Sequence, residues 1–315
     1  MNPEQLATAI RSAEFEPCQL SAGPLPSRLA RLACPSVCLD FAELGPAMLF
    51  TGLMPADCYS LVFVTQCPQT GHSFNFSTDH VDGYMGFFPP GGELDAYTPE
   101  GYANATLTVP AADFNRALAR WFPEIPDKML AHGAGMRIGA VEQARLRVLL
   151  ASVMEGIEDP TGPISDRVVR REIEGLLLEA FLGALRSGVA GLVPLPNCRV
   201  AGKLRHLRQA RNFIKDAVHA PIQLEDVSNA LGMSARGVEV LFHSSLGIGP
   251  SAFIRHQRLH GVRRALLTMK PETGAIKEVA LKWGFWHMGH FSKNYRSLFG
   301  ESPTETLGMK ELRLG

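Results

Sequence analysis

The sequence predicts an α+β chain, with an N-terminal antiparallel β domain that also carries helices and a C-terminal all-α domain. Three observations predict it. Between residues 36 and 110, short apolar runs broken by Gly, Pro, Asn and Asp recur about every ten residues, which fits an antiparallel sandwich or small barrel. Beyond residue 202 the apolar residues recur at three- and four-residue steps, the period of a helix. That helical part also contains an internal repeat. A length of 315 residues suits two domains, each able to bury a core.

Residues 1–35 are mixed, with prolines at 17, 24, 26 and 35 and room for a short helix near Pro3–Ala13. Candidate strands follow at Val37–Phe41, Ala47–Leu53, Tyr59–Thr65, Ser73–Phe76, Tyr84–Phe88 and Ala103–Val109. Pro89-Pro90-Gly91-Gly92 marks a loop. A small barrel can enclose a ligand, and Phe63, Phe74, Phe76, Phe87 and Tyr97 are the aromatic candidates for its interior. Plain core packing is the simpler role for each of them. His72, His80, Glu93 and His132 do not form a convincing metal-ligand set, so neither a metal nor any other cofactor is expected.

The pattern turns helical at Ala111–Phe122, then over Gly139–Ile157 and Ser165–Gly188, with Asp159-Pro160-Thr161-Gly162-Pro163 separating the last two. The apolar positions of these helices include Val141, Leu146 and Val153, then Ile173, Leu176 and Leu185. They can cover the sheet or pair with a second chain. Residues 188–202 are rich in Gly and Pro and poor in charge, as a linker is. The division is therefore 1–188 as a regulatory and dimerisation domain, 189–201 as linker and 202–315 as the helical domain. In that last part Leu204, Leu207, Arg211, Ile214 and Val218 pattern a helix that Pro221 ends.

The stretch Ala280–Thr306 holds a short helix, a turn at Gly284-Phe285 and an amphipathic helix closed by Gly300 and Pro303. The same design occurs earlier. Val227, Gly232 and Met233 correspond to Val279, Gly284 and Phe285 at a separation of 52. Val238, Phe242, Leu246, Gly247 and Pro250 correspond to Phe291, Tyr295, Phe299, Gly300 and Pro303 at 53, so the second turn is one residue longer. Two helix-turn-helix units joined by a long helix, Ser251–Met269, are the reading.

The formal net charge of zero conceals a split. Residues 1–198 hold 13 Lys+Arg against 22 Asp+Glu, a net −9, and residues 199–315 hold 18 against 9, a net +9. A basic helical domain suits a polyanion, because phosphate contacts supply most non-specific affinity. In the first unit Ser234 is the expected N-cap. Ala235, Arg236, Glu239, Val240 and His243 then face outward, with Arg236 the best guanine reader. In the second unit His287, Met288 and His290 begin the exposed face, and Lys293 and Arg296 follow as phosphate contacts.

The six cysteines, at 18, 34, 38, 58, 67 and 198, show no metal spacing and read as free thiols. The first residues do not resemble a signal peptide, and no run of 18 apolar residues occurs. A cytoplasmic protein without a membrane span is expected.

Over roughly Gly202–Leu307 the chain resembles the AraC/XylS family of bacterial transcription regulators, its XylS-like branch above all. The resemblance is carried by Ser234–Phe242 with Gly247 and Pro250, by Arg258-Leu259, and by Ala280–Pro303 with its WGFWHMGHF wording. It implies a cupin-like N-terminal domain and a homodimer through that domain's helices. It also implies double-stranded DNA as partner, contact with RNA polymerase, and a small-molecule effector. The expected function is a sequence-specific regulator, an activator first and not an enzyme. The alternatives are a promoter-occupying repressor, a ligand-independent regulator, and a metal-dependent cupin enzyme with a DNA-binding tail. Many relatives place a basic residue where this chain has Val240. Arg258 is expected to be a structural hydrogen-bond donor.

Overall fold

The computed structural model describes residues 13–22, 27–74, 78–122, 125–159, 161–190, 198–270 and 274–308. The strands in chain order are β1 (Glu14–Gln19), β2 (Arg28–Ala33), β3 (Cys38–Leu44), β4 (Met48–Leu53), β5 (Cys58–Gln66), β6 (Gly71–Ser73), β7 (Thr78–His80), β8 (Tyr84–Phe88), β9 (Glu93–Thr98), β10 (Tyr102–Pro110) and β11 (Ala134–Arg137). One sheet runs β1-β4-β9-β6-β7 and the other β11-β8-β5-β10-β3-β2.

The side-chain period of two decides what each strand does. Asp40, Thr106, Val62 and Gly86 are register partners across β3, β10, β5 and β8, and all four line the space between the sheets. Their neighbours Phe41, Ala105, Phe63 and Met85 form the next row and point the other way, into a core shared with helices. Strands buried on both faces read as unbroken apolar runs, and this is why β5 and β8 were visible in the sequence. The strands that sequence reasoning missed, β1, β2, β7, β9 and β11, all carry charged residues.

Helices α1 (Ala111–Trp121), α2 (Asp127–His132), α3 (Ala140–Glu158) and α4 (Arg167–Ala190) follow the strands. Phe114 and Leu118 of α1, Leu146, Leu150 and Val153 of α3, and Leu177, Phe181 and Leu185 of α4 cover the outer face of the six-stranded sheet. Val141 and Leu176, expected among the buried positions, are instead 77% and 50% exposed, as Val148 is at 70%. The apolar stripe of this helix pair is therefore wider than the sheet it covers.

The C-terminal part is helical: α5 (Cys198–Asp216), α6 (Leu224–Leu231), α7 (Ala235–Leu246), α8 (Pro250–Thr268), α9 (Ala275–Lys282), α10 (Met288–Phe299) and α11 (Pro303–Gly308). α4 and α5 reach into both ends of the expected 189–201 linker, whose residues 191–197 lie outside the described residues, as does the helix expected near 3–13 but for its last residue.

The aromatic set expected inside the barrel is not there. Phe63 and Phe87 belong to the core beneath the helices, with Phe87 stacked on Tyr59 and Phe114. Phe74 and Tyr97 lie on the outer face of the five-stranded sheet, in a core shared with the C-terminal helices. Phe76 lies outside the described residues. The cavity between the sheets, about 80 Å³, is lined by Phe15, Phe50, Tyr84, Phe88 and Tyr102 instead. Aromatic content could not tell the two faces apart, because both are buried.

Candidate nucleic-acid interface

The C-terminal helices form two turn-linked pairs on one long connector. In the first pair Gly232 takes a left-handed φ of 62° after α6, and Met233 N–H reaches back to Ser228 O at 3.1 Å. Ser234 then caps α7, its Oγ accepting the Gly237 N–H at 3.1 Å. Gly247, at φ 70°, closes α7, and Pro250 opens α8. The second pair repeats this: Gly284 has φ 82°, Phe285 N–H bonds Ala280 O at 2.9 Å, and Gly300, at φ 73°, closes α10. Pro303 does more than stop a helix, since it is the first residue of α11.

Each pair has its own core. Val227, Val238, Leu241, Phe242 and Leu246 pack with Phe253 of α8. Val279, Phe291, Tyr295, Leu298 and Phe299 pack with Leu259, Val262 and Leu266. Phe253 therefore lies on a different side of α8 from the other three, which were expected near one face with it. A helix that serves two cores is buried on more than one side and shows no single apolar stripe. Arg263 lies within the second core, 1% exposed, with its guanidinium 4.9 Å from the Phe299 ring and hydrogen-bonded to Glu301. Tyr295 O–H donates to Thr306 Oγ1 at 2.8 Å in the same network.

On α7, Arg236, Val240 and His243 are exposed, while Ala235 and Glu239 are half-buried. Glu239 sits 3.4 Å from His243 Nε2, one turn on. On the second pair His287, His290, Lys293 and Arg296 are exposed. Arg296 lies 3.4 Å from Glu305, whose carboxyl is held below its usual range, first by the Ser302 backbone N–H. Met288 departs from expectation: it is half-buried and packs on the second core, because the first position of α10 turns inward with Phe291 and Tyr295.

A family model described as a helix-turn-helix domain matches residues 227–309. The XylDLEGF operon transcriptional activator 2 of Pseudomonas putida is 37% identical over 101 residues, 32% of this chain and 64% of that protein. A probable thc operon regulatory protein of Rhodococcus erythropolis is 33% identical over 32% of this chain and 30% of its own length. Among solved structures, a probable AraC family transcriptional regulator from Rhodopseudomonas palustris is 34% identical, covering 34% of this chain and 97% of that one, with a TM-score of 0.31. Residues 227–309 form a helix-turn-helix domain of the AraC/XylS family. The XylDLEGF operon transcriptional activator 3, also of Pseudomonas putida, is matched over 30% of its length, so the chain spans less than a third of that relative.

Two arginines of the C-terminal helices are committed to the fold. Arg258 donates from Nε to Val218 O at 3.0 Å and from Nη2 to Ala220 O at 2.6 Å, closing the end of α5. Arg211, on α5, is 5% exposed in its side chain and reaches across to the N-terminal sheet, where Nη2 meets Asp95 Oδ1 at 2.7 Å. Its guanidinium also lies 4.5 Å from the Phe74 ring. Arg208 approaches Asp95 at 3.4 Å and pairs with Glu93, and Lys215 meets Glu16 at 2.9 Å. From α8, His260 Nε2 accepts the Gln19 N–H at 2.8 Å, and Gln19 Nε2 donates to Leu298 O at 2.6 Å. Burial drives the His260 pKa down to about 3 and that of the Cys18 thiol up to about 12. The C-terminal helices are thus docked on β1 and β9 by acids of one half and bases of the other.

Sequence reasoning missed this seam, although it left a signal. Arg211 occupies an apolar-stripe position between Leu207 and Ile214, where a charge needs a buried partner. Among the described residues no cluster of His, Cys, Asp and Glu is placed to hold a metal, and His72 Nδ1 lies 2.7 Å from Asp79. Cys18, Cys34, Cys38, Cys58 and Cys67 are free thiols. No helix among the described residues is long and apolar enough to cross a membrane.

Proposed function

We propose that this chain is a sequence-specific DNA-binding transcription regulator, an activator, whose C-terminal helices read double-stranded DNA. One observation carries the reading. Two exposed helix faces, one presenting Arg236 and the other Lys293, each follow a left-handed glycine turn and are held on a single connector, α8. Two such helix-turn-helix units enter successive major grooves, roughly 34 Å apart. Arg236 reads a base and Lys293 and Arg296 position the backbone. His243, His287 and His290 complete the face, and Val240, 58% exposed, meets a thymine methyl. The relatives named as operon activators favour activation, through RNA polymerase, over repression by promoter occupancy.

In this reading residues 1–188 form a cupin-like regulatory domain, 189–201 a linker and 202–315 the DNA-binding domain. The exposed Val141, Val148 and Leu176 pair two copies through α3 and α4, and the protein works in the cytoplasm, without catalysis. The effector site moves from the aromatic set expected earlier to the cavity between the sheets, where Thr106 Oγ1 has no hydrogen-bond partner. Genome-wide capture of DNA by the purified protein at near-physiological salt tests the function. Enrichment of a few sites sharing a pair of half-sites is the expected result. Uniform weak capture, with or without added metabolites, overturns it.

A further inference from the structure

The second turn is one residue longer than the first, and the structure identifies the additional residue. Gly284 and Phe285 repeat Gly232 and Met233, and His287 stands at the N-cap position that Ser234 holds in the first pair. Trp286 has no counterpart. The two aromatic residues before it are accounted for inside the molecule. The Trp283 ring lies against Gly261, where an added Cβ would come within 2.1 Å of it, and is 4.2 Å from the His219 ring. Phe285 packs on Phe291 at 5.1 Å. Of Trp283, Phe285 and Trp286, only Trp286 projects outward, 74% exposed, at the start of the helix that bears Lys293 and Arg296.

A tryptophan left in water forgoes the burial that makes the residue useful to a core, so its contribution lies outside the chain. The surroundings select the occupant. Lys293 and Arg296, with the imidazoles of His287 and His290 6.4 Å apart, make this a rim without an acidic residue between Trp283 and Gly300, Glu305 of α11 lying 3.4 Å from Arg296. That rim fits a polyanion with apolar features among its charges, which describes the major-groove edge of duplex DNA: phosphates outside, thymine methyl groups within. A flat ring at the N-terminal end of a recognition helix reaches base edges first.

We infer that Trp286 is a specificity residue of the second unit, its indole packing on a thymine methyl group and the adjacent deoxyribose of the bound duplex. The inference rests on the DNA-binding function proposed above. The contact is apolar, so it adds affinity without releasing counterions, and it distinguishes thymine from cytosine at one position.

The test uses the full chain and a duplex selected by the parent protein from a random pool, with each thymine replaced in turn by uracil, which lacks the methyl group. At one position uracil is expected to weaken the parent about tenfold. Trp286→Ala is expected to weaken binding to the unmodified duplex by the same factor, to lose no more on that uracil duplex, and to keep the salt dependence of the parent. Trp286→Phe restores part of the loss. An unchanged melting temperature shows that Trp286→Ala still folds, as its exposure leads one to expect. Trp286→Ala binding within twofold of the parent on the unmodified duplex overturns the inference while leaving the DNA reading intact. So does normal binding with lost transcription in a reconstituted system, because the indole then contacts a protein. A parent that selects no duplex at all overturns both.

Discussion

Replacing Asp95 with alanine removes one partner of a buried ion pair and leaves Arg211 with its charge in place. Both side chains are 5% exposed and their atoms are 2.7 Å apart, so solvent screens the pair little. Breaking such a pair from one side costs about 3–5 kcal/mol, because the remaining charge is desolvated without compensation. At roughly 1.4 kcal/mol per tenfold, the docked arrangement of the C-terminal helices on the sheet loses on the order of 10²–10³ in its equilibrium. The rim pairs Lys215–Glu16 and Arg208–Glu93 are half exposed or more on at least one side and contribute little beside it. Amide exchange of Asp95→Ala is expected to show lost protection in α5 and β9 together, with α9 and α10 unchanged. The double variant Asp95→Ala/Arg211→Met removes the orphaned charge while keeping apolar volume against Phe74. It is expected to regain most of the protection. A double variant that loses as much as the two single variants added together refutes the argument that the uncompensated charge carries the effect.

Three further outcomes are expected. Arg236→Ala relaxes preference at one base pair, losing about 1–3 kcal/mol there, whereas Lys293→Ala weakens all duplexes alike and lowers the salt slope by about one; equal, sequence-independent losses in both, measured by titration at several salt concentrations, speak against Arg236 as a base reader. Val148→Glu together with Leu176→Glu places charge on the exposed apolar face of α3 and α4 and is expected to leave a monomer in sedimentation, while an unchanged mass eliminates this face as the pairing surface. Burial lowers the His260 pKa to about 3, below its unfolded value near 6.5, so the unfolded chain binds the additional proton. Stability attached to this group is therefore complete above about pH 6.5 and falls as pH drops toward 3, by about 2 kcal/mol at pH 5. His260→Gln keeps an acceptor for the Gln19 N–H and is expected to flatten that acid limb in urea titrations, and an unaltered pH profile counts against the assignment.

How legible each part was in the sequence follows from what its residues touch. The turns of the C-terminal pairs were readable because glycine at positive φ and proline at a first helical position are demanded by the backbone itself, as at Gly232, Gly247 and Pro250. Strands β5 and β8 were readable because both faces are buried. β1 and β9 were not. Glu14, Glu16, Glu93 and Asp95 break their apolar pattern, and the last three pair with α5, a partner over a hundred residues away. Register and partner are non-local facts, and local periodicity does not carry them. Phe63 was misplaced for a related reason: an aromatic residue in a strand buried on both sides gives no sign of which side it takes, and only the row Phe41–Ala105–Phe63–Met85 settles it.

The charge split has two uses, and separating them changes what the +9 of the helical half means. Arg208, Arg211 and Lys215 face acids of the N-terminal sheet, and Arg258 and Arg263 close helix ends and cores. These five cations are unavailable to phosphate while the halves are docked, so counting basic residues overstates the number of backbone contacts. The same accounting locates the coupling between the halves. Along β9, Leu94, Ala96 and Thr98 line the cavity between the sheets, and Asp95 and Tyr97 face the C-terminal helices. One strand therefore has the cavity on one side and the docking pair on the other. Packed interiors transmit small displacements rather than absorbing them, and a ligand biases the two halves only so far as it prefers one position of that strand. If the N-terminal half regulates DNA binding as proposed above, Asp95 is where such a preference is converted into docking or release.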